Sequence, residues 1–148
     1  MPTIFEELRA DHDVQRSLLA TLLETEGASD ERDRTWRKLK DALETHAASE
    51  ERYFYAPLFQ HDQTVEKARH SVAEHHEIDE LIERLEDTEM DSPGWLQIAR
   101  QLGERLEHHL QEEEHEVFQM AGKVLTKTQK TELASEYRAE MGAPAEAA

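Results

Sequence analysis

The chain has 148 residues, with 5 Gly, 4 Pro and no Cys, and its 34 Asp+Glu against 17 Lys+Arg give a formal net charge of -17. That length suits one compact domain with a real core, and the composition is too poor in Gly and Pro for a loop-rich or all-β fold and excludes disulfides, thiolate metal sites and a Cys nucleophile. The acidity opposes contact with nucleic-acid phosphates and docking on anionic membranes. The N-terminus, MPTIFEELRADHD, is charged early and has no apolar stretch of signal-peptide type. No apolar run approaches membrane-spanning length, so the cytoplasm is the expected location.

Helical periodicity runs almost throughout, carried by Ala, Leu, Glu, Lys, Arg and Gln. A first helix is expected over about residues 3–25, with Phe5, Leu8, His12, Leu19 and Leu22 on one face. A turn at Gly27–Asp30 follows. A second helix is expected over about 31–56, presenting Trp36, Leu39, Leu43, His46, Glu50 and Phe54, with Pro57 and the polar stretch Gln60–Thr64 ending it. A third is expected over about 64–89, with Val72, His75, Ile78, Ile82 and Leu85 inward. Ser92-Pro93 reads as a helix start, Ser92 capping and Pro93 at the first helical position. The fourth helix then runs to about Ala121, presenting Ala99, Leu102, Leu106, His109, Glu113 and Val117, with Gly122 closing it. A short fifth helix is expected near Lys127–Met141, and a frayed tail, GAPAEAA, after it. The expected architecture is all-α: an up-down-up-down four-helix bundle over residues 1–122, with residues 123–148 forming a short C-terminal helix and tail rather than a second domain.

The chain repeats itself at an offset of 63 residues. His46, Glu50 and Glu51 map onto His109, Glu113 and Glu114, and Tyr55 onto Phe118. The same offset carries Asp11 and His12 onto Glu74 and His75, and Leu18, Leu19 and Leu22 onto Leu81, Ile82 and Leu85. One gapless offset spanning two helices of each half describes two similar helix hairpins about a pseudo-twofold axis.

His46 and Glu50 stand at i and i+4, one turn apart on the apolar face of their helix, as do His109 and Glu113. His12 and His75 also fall on inward stripes. With antiparallel neighbours, all four histidines lie about 14–18 Å from the same end of the bundle and share one layer. An unpaired buried carboxylate costs several kcal/mol. Four His and two Glu neutralising one another as salt bridges is one solution; a cation that supplies the missing charge explains the convergence better. His61 falls in a loop, and His70, His76, His108 and His115 fall off the inward stripes and read as surface residues. Glu51 and Glu114 read as solvent-side neighbours unless a helix irregularity turns them inward. Tyr53, seven residues after His46, reads as a packing residue that could approach the layer.

These residues resemble the haemerythrin-like family of HHE cation-binding domains. The resemblance rests on Asp11-His12, on HxxxEE at His46–Glu51, on Glu74-His75 and on HxxxEE at His109–Glu114, over about residues 3–121. It implies a non-haem centre of two iron ions with an oxygen or water bridge and two bridging carboxylates. In that picture His12, His46, His75 and His109 are terminal ligands and Glu50 and Glu113 the bridges; zinc or manganese would also be accepted. Oxygen-carrying members have a second His four residues after the His of their third helix, where this chain has Asp79. They also carry the last carboxylate five residues after the final His, and here both Glu113 and Glu114 are acidic. One imidazole fewer leaves an extra open position.

The expected function is binding of a small ligand, oxygen, nitric oxide or peroxide, for carriage or sensing. The alternative is a di-iron enzyme that decomposes peroxide, and a lesser one is a metal-free structural bundle. A ferritin-type bundle is disfavoured, because its Glu-x-x-His pattern occurs only at Glu112–His115, off the inward face.

Overall fold

The computed structural model describes residues 1–142, and the expected frayed tail from Ala143 onward lies outside them. The element order is α1 (Ile4–Leu23), α2 (Asp30–Glu50), a π-helical turn π1 (Glu51–Tyr55), α3 (Ala56–Leu58), α4 (Val65–Glu86), α5 (Pro93–Glu112), a second π-helical turn π2 (Glu113–Val117), α6 (Phe118–Val124) and α7 (Lys127–Met141). α2, π1 and α3 run on as one rod, as do α5, π2 and α6, so the bundle has four long helices and α7 is the fifth. α1 packs along α2 and α5, α4 along α5, and α7 against α1 and α2.

The helix starts follow local chemistry. Thr3 accepts from the Glu6 N–H while Glu6 reaches back to the Thr3 N–H, a reciprocal capping box, and Thr126 with Gln129 does the same for α7. Ser29 caps α2, and Ser92 caps α5 with Pro93 in its first turn. Two expected stops behave otherwise. Pro57 does not end the second rod but lies within it, directly after the π turn, and the chain leaves the helix after Leu58. Gly122 does not close the fourth rod, which continues to Val124.

Two apolar clusters fill the bundle. One gathers Leu18, Leu22, Trp36, Leu39, Ile82, Leu85, Trp95 and Leu102 toward the loops at 24–29 and 87–92. The other gathers Ile4, Leu8, Phe54, Tyr55, Leu58, Phe118 and Ala121 with Ala134 and Tyr137 of α7. Along each long helix the residues between the clusters are buried and polar: Asp11, His12 and Gln15 on α1; His46, Ser49 and Glu50 on α2; Ser71, Glu74 and His75 on α4; His109 and Glu113 at the end of α5. The core is thus cut by a polar layer across all four rods. Arg32 ties the first cluster's end together, donating from Nε to Thr25 Oγ1 (2.9 Å) and from Nη1 to the Met90 carbonyl (2.8 Å), with its guanidinium over the Trp95 ring. No helix among the described residues is long and apolar enough to cross a membrane.

Candidate metal centre

The two π turns decide how the layer is built. Each begins where a His-x-x-x-Glu pair ends, π1 after His46 and Glu50, π2 at Glu113 after His109, within one residue of the repeat's register. A π turn holds one more residue than an α turn, so the side chains beyond it are rotated relative to a continuous α-helix. Phe54 and Tyr55 both become fully buried, as do Val117 and Phe118 in the other half, and Glu51 and Glu114 swing far enough to reach the layer from its flanks.

The six expected ligand residues converge. Glu50 faces both halves: its Oε2 lies 3.4 Å from His46 Nε2 and 3.7 Å from His12 Nε2, and its Oε1 lies 3.1 Å from His75 Nε2. Glu113 mirrors it, with Oε1 at 3.0 Å from His12 Nε2 and Oε2 at 3.7 Å from His109 Nε2. Two groups of ligand-type atoms result, one from His12, His46, Glu50 and Glu113, the other from Glu50, His75, His109 and Glu113. The atoms of each group lie within 4.8 Å of one another, and the two carboxylates belong to both.

Nε2 of His12, His46 and His109, both oxygens of Glu50 and Oε1 of Glu113 are buried without an aligned hydrogen-bond partner among the described residues. Each such orphan costs of order 1–3 kcal/mol or more when the group is charged. Imidazole nitrogens and carboxylate oxygens facing one another at these distances, unaligned for hydrogen bonds, are a donor set that could hold a metal ion.

Every imidazole is held from behind through Nδ1. His12 Nδ1 contacts Glu114 Oε2 (2.7 Å) and His75 Nδ1 contacts Glu51 Oε2 (2.7 Å), so each half supplies the carboxylate that orients the other half's histidine. His109 Nδ1 contacts Glu74 Oε1 (2.8 Å). His46 breaks the pattern: the counterpart of Glu74 is Asp11, one methylene shorter, and the Tyr137 hydroxyl fills the gap. It accepts from His46 Nδ1 (2.6 Å) and donates to Asp11. With Nδ1 donating outward, Nε2 is the nitrogen left facing the centre.

The charges of the layer's own residues shift one another's protonation. Burial opposes charge on His12, but Glu113, Glu114 and Glu50 outweigh it and hold the imidazole well above its ordinary pKa. Burial opposes charge on His75 too, and Glu50 and Glu51 carry it up to about 9. His46 is lowered by burial. Burial alone would raise Glu50, but His46 and the surrounding imidazoles hold it well below the carboxylate range. Glu113 goes the other way, pushed well above that range by burial and by the negative Glu50 beside it. Two close carboxylates cannot both ionise cheaply without a cation.

The hemerythrin HHE cation-binding domain family matches residues 3–121. This chain belongs to that family. A crystal structure of a hemerythrin HHE cation-binding domain-containing protein from Mycobacterium kansasii superposes with a TM-score of 0.86 at 25% identity, covering 95% of this chain and 86% of that one. No curated protein matches the chain in sequence.

This HHE domain also contains site-facing residues that its repeat does not advertise. Tyr55, not Tyr53, reaches the layer: its hydroxyl donates to Glu113 Oε2, whereas the half-buried Tyr53 points its hydroxyl at Glu140. Gln15 is buried, and both its amide atoms lack a partner among the described residues. It sits on the inward stripe Leu8, His12, Gln15, Leu19, Leu22, so the signal was present in the sequence as a polar residue at an apolar step. Gln15 lines a cavity of about 20 Å³ together with His46, His75, His109, Ile78 and Leu106. Tyr137 lies 91 residues from its partner His46 and outside the repeat, and nothing local marks it.

Proposed function

We propose that His12, His46, His75 and His109, with Glu50 and Glu113 shared between them, hold two iron ions, and that the centre binds a small ligand of the size of oxygen, nitric oxide or peroxide. The observation that carries the reading is the sharing. Two four-residue groups with Glu50 and Glu113 in common, four imidazoles aimed by Nδ1 partners and a set of orphaned Nε2 and carboxylate atoms support a two-metal site over a buried salt-bridge layer. Imidazole and carboxylate donors suit iron, and zinc and manganese are the competing occupants.

When bound, two redox-active irons supply an electron reservoir and Lewis acidity to a ligand beside them. The chain's own residues set what reaches them. The cavity of about 20 Å³ has room for one water-sized molecule and none for an organic substrate. Gln15 faces that cavity with an unpaired amide, able to donate to or accept from a bound diatomic. Leu43, Ile78, Leu106 and Leu110 supply the apolar part of its wall.

A second reading, decomposition of peroxide to water and oxygen, is favoured by the Tyr55 hydroxyl on Glu113 and the Gln15 amide. The phenol on a carboxylate is a pair that can pass a proton, and the amide is a hydrogen-bond donor for a peroxide oxygen. One experiment separates the readings. Iron-loaded protein is reduced and then exposed to air, azide, nitric oxide or hydrogen peroxide while its visible spectrum and gas release are followed. Ligand-responsive charge-transfer bands without turnover support carriage or sensing. Oxygen release from peroxide well above that of free iron supports the enzyme. No ligand-responsive band and no turnover would sink both.

A further inference from the structure

Outside the buried layer, the exposed face between α4 and α5 carries a second imidazole–carboxylate cluster. His70 and Glu74 stand at i and i+4 on α4, and His108 and Glu112 stand at i and i+4 on α5. This is the His-x-x-x-Glu spacing of the inner centre, turned outward. His70 Nε2 lies 3.1 Å from Glu112 Oε1 and 3.4 Å from Glu74 Oε2. His108 Nε2 lies 3.2 Å from Glu112 Oε2 and 3.9 Å from Glu74 Oε2. The His70 and His108 side chains are 52% and 67% exposed, whereas that of Glu74 is only 5% exposed, with Oε2 turned to this cluster and Oε1 accepting from His109 Nδ1.

The pseudo-twofold axis supplies an independent comparison. Subtracting the 63-residue offset, the four positions become Glu7, Asp11, Thr45 and Ser49 on α1 and α2. That face is covered by α7, and a cation sits on its carboxylates. The Arg138 guanidinium donates to Asp11 Oδ2 (3.0 Å), to Asp11 Oδ1 (3.3 Å) and to Glu7. Ser49 meanwhile donates to Glu140 (2.7 Å). On the α4/α5 face, among the described residues, no Lys or Arg pairs with Glu74 or Glu112, and two imidazoles stand where the other half has Glu7 and Thr45. The same fold position therefore holds a carboxylate pair with a built-in cation in one half, and a carboxylate pair with two imidazoles in the other.

We infer that His70, His108, Glu74 and Glu112 form an outer site for one divalent cation of borderline softness, such as Zn²⁺ or Fe²⁺, joined to the buried centre through the shared carboxylate of Glu74. Ligand atoms of His70, Glu74 and Glu112 lie within 4.8 Å of one another, His108 stands 3.2 Å from Glu112 as the fourth donor that a four-coordinate ion would draw in, and exposure of the two imidazoles gives the ion free access.

The test uses the full chain, iron-loaded and then dialysed against a modest excess of Zn²⁺, with iron and zinc counted per chain by elemental analysis. The partner sample is the double variant His70→Ala/His108→Ala, whose changes fall on exposed side chains, and Glu112→Gln serves as a third, nearly isosteric sample. The expected result is one zinc equivalent in the wild-type protein, lost in both variants, with iron content and visible spectrum unchanged. A zinc content in the wild-type protein no higher than that of the double variant would overturn the inference. Iron and zinc are counted separately, so a chain that takes up no iron but loses one zinc equivalent in the variants would refute the inner reading and leave the outer site standing.

Discussion

At the scale of single residues, the decisive feature is that every inward imidazole is fixed from behind. Tyr137 is the most exposed to test, because its hydroxyl alone links His46 to Asp11. Burial and the neighbouring Asp11 carboxylate push that hydroxyl's pKa far up, so it stays protonated and remains a donor. Tyr137→Phe is expected to weaken metal retention by about 10–100-fold, the usual consequence of losing a hydrogen-bond partner of a ligand. Competition with a chelator reads this directly. A residue serving only to pack α7 would lower the melting temperature without moving the affinity. Proton linkage gives a second expectation. His75 in the metal-free chain keeps its proton up to about pH 9, so a cation must displace it. Metal uptake should release protons, and affinity should rise with pH through the neutral range and level off above about 9. Titrations in buffers of different ionisation heat would show it, and an affinity indifferent to pH would contradict it.

Among helices and turns, much was legible and the remainder has identifiable causes. The buried layer could be read because His and Glu on apolar stripes are conspicuous and the 63-residue repeat doubles the signal. The starts at Ser29, Ser92 and Thr126 follow capping chemistry that short-range sequence encodes. The π turns were not legible, since ERYFY and EEHEV contain nothing that an α-helix would refuse. Their extra residue is what brings Tyr55 to the layer instead of Tyr53, and what turns Glu51 and Glu114 from flank to Nδ1 partner. Helix α7 was expected as a short appendage; its contribution to the site through Tyr137 and Arg138 depends on pairs 91 to 131 residues apart, which no local pattern carries. Arg32 belongs to this scale too, since its hydrogen bonds clamp one interhelical loop to another. Arg32→Ala should cost about 2–3 kcal/mol in urea unfolding, as charged hydrogen bonds and their buried acceptors are lost. A change within a few tenths of a kcal/mol would show that the loops hold without it.

For the molecule as a whole, the bundle is two copies of one hairpin that have diverged on their outer faces while keeping one inner layer. The inner layer is expensive by itself: unpaired nitrogens, a carboxylate pair in which Glu113 is pushed toward its protonated form, and histidines drawn toward the charged form against burial. Cation binding to the folded state alone should therefore stabilise it strongly, and stripping the metal with a chelator should lower the melting temperature, by an amount that grows with the metal concentration used in the loaded sample. Equal melting temperatures before and after stripping would mean that the layer is satisfied by protons alone. The net charge of -17 works in the same direction, drawing cations toward the surface.

The central claim is that Glu50 and Glu113 are shared between two ions. It is tested most directly by iron analysis combined with Mössbauer and electron paramagnetic resonance spectroscopy of the oxidised, iron-loaded chain. We expect about two irons per chain, held close enough by their common carboxylates to couple magnetically and hence silent in paramagnetic resonance, with the paired iron lost in Glu50→Ala. One iron per chain with the isolated high-spin ferric signal, or two irons without coupling, would contradict a shared-carboxylate centre.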